Sequence, residues 1–282
     1  MKQYLQSAKK ISVLFVVILL THLTSDAAIY TATVSGNWSN SATWGGAAPS
    51  FNVASDQVII PSSVTVTIDS NVTIAGATAS VTVAGALYSS GSASLTLGAL
   101  GSLAGGGTIT LNKLILQSTS LMPFTGSITI DTLNTTSTDF QLLGWMAVKY
   151  VVNLQAGNFA LGYASTFTMV NGSTMVISGG TIVNNAGALL LTSTYNLVYT
   201  TVSAVGGVET GGSGLNNLII DVSGGNTVTL SLQTTVSGSL SLVTGNMVLN
   251  GNNLWLGGDI AAGGTGAIVA DPVSSITLNV SS

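Results

Sequence analysis

Val64-Thr65-Val66-Thr67-Ile68 alternates aliphatic and hydroxyl side chains without a break. In a strand, successive side chains point to opposite faces, so this stretch buries one aliphatic row and turns its hydroxyls outward. The pattern recurs along the chain: Val81-Thr82-Val83, Leu95-Thr96-Leu97, Ile109-Thr110-Leu111, Ile128-Thr129-Ile130, Val228-Thr229-Leu230, Leu240-Ser241-Leu242 and Ile276-Thr277-Leu278. Gly, Asn and Ser fill the intervals, residues that accept turn dihedrals. Strands this short cannot bury a face alone. Stacked as coils of a solenoid, they join into one continuous apolar interior.

Longer echoes support stacking. Val83-Ala84-Gly85-Ala86-Leu87 leads to Leu95-Thr96-Leu97-Gly98, and Val236-Ser237-Gly238-Ser239-Leu240 leads to Leu254-Trp255-Leu256-Gly257, with a looser copy from Val170-Asn171-Gly172. The abundant Asn and Thr suit side-chain ladders along the axis. The expected fold is an all-β parallel β-helix, or β-solenoid, over residues 50–282, with an N-terminal cap over 28–49. Two all-β alternatives stay open, an antiparallel sandwich and a transmembrane barrel. The barrel fits less well, since it wants strands of about 9–11 residues and aromatic girdles. Residues 140–163 depart from the pattern and gather Phe140, Trp145, Tyr150, Phe159 and Tyr163 with Lys149. A longer strand pair, a short helix and an insertion interrupting the array are all compatible with them.

The first 27 residues read as an export signal. Lys2, Lys9 and Lys10 form a basic start, and Ile11 to Leu20 is an apolar run too brief for a membrane span of about 20 residues. Ser25 and Ala27 suit cleavage before Ala28, and no cysteine is present to take a lipid. The expected location is therefore outside the cell, secreted or on the surface, with no membrane span in the mature chain.

Removing that segment removes His22 and three of the five basic residues, leaving Lys113 and Lys149 against Asp56, Asp69, Asp131, Asp139, Glu209, Asp221, Asp259 and Asp271. Two scattered lysines cannot hold a phosphate backbone, so nucleic acid is a poor partner. Without His or Cys, nucleophilic catalysis of the Ser-His-Asp or Cys-His kind has no base and no thiol. Without Cys, disulfides and thiolate metal sites are excluded as well. Paired carboxylates can hydrolyse glycosides; Asp56 with Asp69 and Asp131 with Asp139 are the candidates, each more simply read as a turn residue or an exposed acid. Gly211-Gly212-Ser213-Gly214-Leu215-Asn216-Asn217-Leu218 matches a calcium-binding nonapeptide with Asn where Asp belongs, in a single copy and without the charge calcium prefers. Gly105-Gly106-Gly107 is a turn, with no Lys-Ser/Thr after it to make a phosphate loop. Outward Thr ranks raise ice binding, but their spacing drifts. No catalytic residue, cofactor or metal ligand is assigned.

What remains is aromatic. Alternation turns Trp255 away from the core, and an exposed Trp on a flat sheet can stack on a sugar ring. Trp255, Trp145 and Tyr150 are the candidate carbohydrate contacts. The expected function is a non-catalytic structural or adhesive surface module, with a carbohydrate-binding module as the alternative. Cell-surface glycans or other surface proteins are the expected partners. The array offers no C-terminal cap: Ile276-Thr277-Leu278-Asn279-Val280 still reads as a strand. The expectation is end-to-end association or continuation beyond residue 282.

Gly36-Asn37-Trp38-Ser39, Ala42-Thr43-Trp44-Gly45-Gly46, Pro49 and Asp56-Gln57-Val58-Ile59-Ile60 resemble the opening of secreted bacterial β-solenoid surface proteins, including those related to the eight-glycine extracellular domain. The stretch from Asn217 to Gly257 is similar to repeats of large adhesin-like proteins of the same group. The resemblance covers about a third of the chain. It implies a right-handed parallel β-helix at the cell exterior. The opening then reads as a plug, with Trp38 and Trp44 over the first coil, hiding strand edges that would otherwise pair with another chain.

Overall fold

A computed structural model describes residues 27–117, 121–136, 139–191 and 193–279. All but the last residue of the expected export signal lies outside them. Strand makes up 56% of the chain and helix 3%, wound as a β-solenoid of about ten turns. Strand pairing among the described residues is parallel throughout, as between Thr108–Leu116 and Ser127–Thr135 and between Tyr195–Thr201 and Leu215–Val222. Antiparallel sandwiches and up-and-down barrels need the opposite pairing, so both alternatives fall. Among the described residues no helix is long and apolar enough to cross a membrane.

Parallel stacking puts equivalent residues of successive coils about 4.8 Å apart. One sixteen-stranded sheet runs along the array, and three four-stranded sheets and a three-stranded sheet complete the walls. The alternation seen in the sequence becomes inward columns. Val66, Leu87, Ile109, Ile128, Met146 and Phe167 occupy successive register positions. So do Leu114, Leu133, Val152, Met175, Leu197 and Leu218. Each of these twelve side chains is fully buried. Between them the hydroxyls of Thr65, Thr67, Thr110, Thr129 and Thr229 reach the outer wall and are half-buried by their axial neighbours. Thr96 is the exception: outward by alternation, it lies between Thr73 and Ile115 of the flanking strands and is buried.

Coil length varies, which hides the repeat from a fixed-period reading. Axial hydrogen bonds span 19 residues at Asp139–Asn158 and 23 at Asn71–Ser94. Amides and hydroxyls bridge the coils on the outside. Asn217 Nδ2 donates to Asn196 Oδ1 at 2.9 Å, and Asn217 Oδ1 accepts from the backbone N–H and the hydroxyl of Ser239 at 2.9 Å each.

The opening segment is itself part of the array. Ile29–Thr31, Gly36–Asn37 and Asn52–Ala54 stack on Gln57–Ile60, Thr65–Ile68 and Val72–Ala75. The coil therefore begins ahead of residue 50, with a one-turn 3-10 helix, Ser41–Trp44, set into it. Asn40 caps that turn by accepting from Ala42 N–H at 3.0 Å. Trp38 and Trp44 meet edge to face at 5.4 Å, both buried, and Trp44 Nε1 donates to the Trp38 carbonyl at 2.8 Å.

Residues 140–163 do not interrupt the solenoid. Trp145–Leu154 is a ten-residue strand paired on both sides, and the register shifts opposite Ile130 and Thr132. One extra residue there is a bulge, which turns Tyr150 outward and breaks the alternation that the sequence pattern relied on. Phe140 and Phe159 stack at 5.4 Å inside.

Candidate functional site

Trp255 sits in Asn253–Leu256 between two buried leucines, Leu254 and Leu256, and is 46% exposed. Its register partners are Thr235 on one side and Thr277 on the other. With Gly257 and Asn279 they line an open groove of about 370 Å³. Small hydroxyl residues on both flanks leave the indole face standing above the sheet, a geometry that accepts the apolar face of a flat ring.

Trp145 is 39% exposed and Tyr150 62%. They lie at the start and at the bulge of one strand, on a different wall from Trp255: the sixteen-stranded sheet as opposed to the three-stranded one. The three aromatics named from sequence are thus not gathered into one site. Beside Tyr150, Lys149 Nζ pairs with Asp131 at 3.3 Å across adjacent coils.

The carboxylate pairs are not brought together as pairs. Asp56 precedes one sheet and accepts from the backbone N–H of Ala28 at 2.9 Å. Asp69 follows another and accepts from the Ser39 backbone N–H at 3.2 Å and from its hydroxyl. Asp131 is held by Lys149, and Asp139 accepts from the backbone N–H of Asn158 at 3.0 Å. Among the described residues no three acids gather as a cation site. In the calcium-like nonapeptide, Asn217 belongs to the outer ladder, and Gly214 lies so close to the coil below that a Cβ would stand 2.0 Å from the Ser193 carbonyl. Gly105 and Gly107 are likewise corners, each against the backbone of the preceding coil. Asp271 ties its own turn: the backbone N–H of Val273, with Ser274, holds its carboxyl below the ordinary range.

One polar cluster was not singled out in the sequence. Glu209, on the short 3-10 helix Val208–Thr210, is 2% exposed. Its Oε1 accepts from the Tyr199 hydroxyl at 2.6 Å and from Gly207 N–H at 2.8 Å, and Tyr195 donates to its backbone carbonyl at 2.7 Å. Oε2 has no partner among the described residues. Burial first, then the Glu209 charge, pushes both phenols well above the ordinary tyrosine value. The only sequence signal was that Tyr195 and Tyr199 share the inward parity of Leu197.

No match to a known protein was found, whether among family models, curated proteins or solved structures. The likeness to eight-glycine surface proteins rests on the sequence motifs alone.

Proposed function

We propose that this chain is a non-catalytic, extracellular structural or adhesive surface module. The observation that carries the reading is the wall: amides and hydroxyls bonded from coil to coil outside, over a continuous, mostly apolar interior. Such a rod is stiff, carries little charge, and presents the same hydroxyl and amide chemistry along its length. The basic and apolar start of the chain and the eight-glycine resemblance support placement outside the cell. Glycans and other surface proteins are the partners this wall suits. Antibody labelling of intact source cells, followed by an adhesion assay with and without the gene, tests the reading. We expect labelled cells and weakened adhesion on deletion. Label appearing only after lysis refutes it.

The groove at Trp255 favours a second reading, carbohydrate binding. On a glycan array, Trp255→Ala is then expected to cut binding at least tenfold while leaving the thermal midpoint unchanged. Unaltered binding by this variant removes Trp255 from the contact surface.

A further inference from the structure

We infer a binding site for a neutral saccharide on another wall, over the four-stranded sheet that contains Phe140–Leu142, Gly157–Leu161 and Gly180–Asn184. The inference rests on the carbohydrate reading and adds a second contact, on a wall apart from the Trp255 groove. Asp139, Gln141, Asn158, Val183 and Asn185 rim a depression of about 420 Å³ around Ala160, within the size range of small-molecule sites.

The depression is a consequence of register. Gln141, Ala160 and Val183 are axial neighbours on successive coils, so a methyl group stands where both flanks are larger. The next outward position along the same strand direction is Gly162. A Cβ there would meet the Gln141 Nε2 at 3.0 Å and the Leu142 carbonyl at 2.8 Å. Glycine thus lets the Gln141 amide lie over the backbone, and the hollow continues past Ala160.

The rim carries unspent hydrogen-bonding capacity. Asp139 uses Oδ1 on the Asn158 backbone N–H, and Asn158 uses Oδ1 on the Thr181 hydroxyl at 2.7 Å. Asp139 Oδ2, Asn158 Nδ2 and both ends of the Gln141 and Asn185 amides have no partner among the described residues. A carboxylate and amides are the groups that pair with adjacent sugar hydroxyls, each offering donors and acceptors a short distance apart. Immediately after Gly162 comes Tyr163, 83% exposed, a ring free to cover the apolar face of a pyranose. Trp145 is paired with Thr166, three residues beyond Tyr163, which brings a second exposed ring to the same corner. The single charge on the rim is negative, so an uncharged glycan suits it and a uronate or sulfated one is repelled.

The test is an array of neutral and acidic glycans probed with the protein, Ala160→Leu, Tyr163→Ala and Trp255→Ala, each checked for an unchanged β-type circular dichroism spectrum. We expect neutral glycans to bind, among them a set that loses at least tenfold in Ala160→Leu and in Tyr163→Ala and that Trp255→Ala leaves intact. Ala160→Leu fills the hollow from an outward position, and Tyr163→Ala alters only an exposed side chain, so a folding defect in one leaves the other decisive. Loss confined to Trp255→Ala overturns this site and keeps the carbohydrate reading. Preference for acidic glycans overturns the site, and silence across the array overturns both.

Discussion

Among the described residues, Glu209 is the one acid that the coil takes inside, and its environment makes a pH-dependent claim. Tyr199 donates to it and Tyr195 donates to its carbonyl, so both phenols are needed in the neutral form. Their folded-state values lie above the ordinary 10.0. A group whose value is raised on folding holds its proton longer in the folded state. Its stabilisation is therefore complete below pH 10.0 and is lost as the pH climbs towards the raised values. We predict that unfolding free energy falls above about pH 10 by about 1.4 kcal/mol per pH unit for each buried tyrosine. Urea titrations from pH 8 to 11 read this slope. Tyr199→Phe should halve it, and should also cost about 1–3 kcal/mol at neutral pH by leaving the Glu209 carboxylate short of a donor. A slope the same in Tyr199→Phe as in the parent refutes the assignment.

At the scale of strands and corners, glycine sets how closely coils approach. Gly85, Gly107, Gly126 and Gly144 each stand just before a strand of the large sheet, in one axial column. A Cβ on Gly126 would lie 2.0 Å from the Gly107 carbonyl, and one on Gly107 2.2 Å from that of Gly85. Gly126→Ala should therefore destabilise by about 1–3 kcal/mol, the range for overpacking. Gly46→Ala, with open space around it, should stay within about 0.5 kcal/mol. Thermal or urea unfolding of the two variants compares them directly, and equal midpoints would contradict the close approach. These corners also show what could be read beforehand. Thr65, Thr110 and Thr129 were placed outward correctly because alternation is local to a strand. The Tyr150 bulge was not legible, since one inserted residue is invisible without its partner strand. The hollow at Ala160 was not legible either, because it depends on which residues of other coils flank it. Coil lengths that vary from 18 residues at Ile128–Met146 to 24 at Ala204–Val228, and 30 at Gly36–Val66 in the first described coil, conceal that register. Trp255 could be found from its own strand, whereas Gln141 and Asn185 could not.

At the scale of the whole array, the first and last described coils are unlike. In the first described coil, Trp38 and Trp44 are buried and meet edge to face. At the last described coil, the inward columns continue without cover. Leu254 is fully buried, but its register partner Ile276 is 42% exposed; Leu256 is 2% exposed, and its partner Leu278 54%. Leu240 is likewise buried and its partner Ile260 is 48% exposed. The strands Ile260–Ala261, Ala267–Val269 and Ser275–Leu278 are each paired on one side only among the described residues. An apolar face framed by unpaired backbone N–H and C=O groups is the arrangement most prone to edge-to-edge pairing. The strands of the first described coil, Ile29–Thr31, Gly36–Asn37 and Asn52–Ala54, are also paired on one side only, but Trp38 and Trp44 are buried there, so a second copy of residues 28–282 covers most exposed apolar surface by meeting this face with its own. A contact between two such faces is two-fold, with the same surface on both sides, and stops at a dimer. We predict that residues 28–282 dimerise with rising concentration. Ile276→Lys with Leu278→Lys should keep the chain monomeric, while Trp38 and the first coil play no part. Sedimentation velocity over a hundredfold concentration range measures this. A chain that stays monomeric throughout, a dimer that survives the lysine pair, or a series of higher oligomers would each show that the open end does not pair with itself.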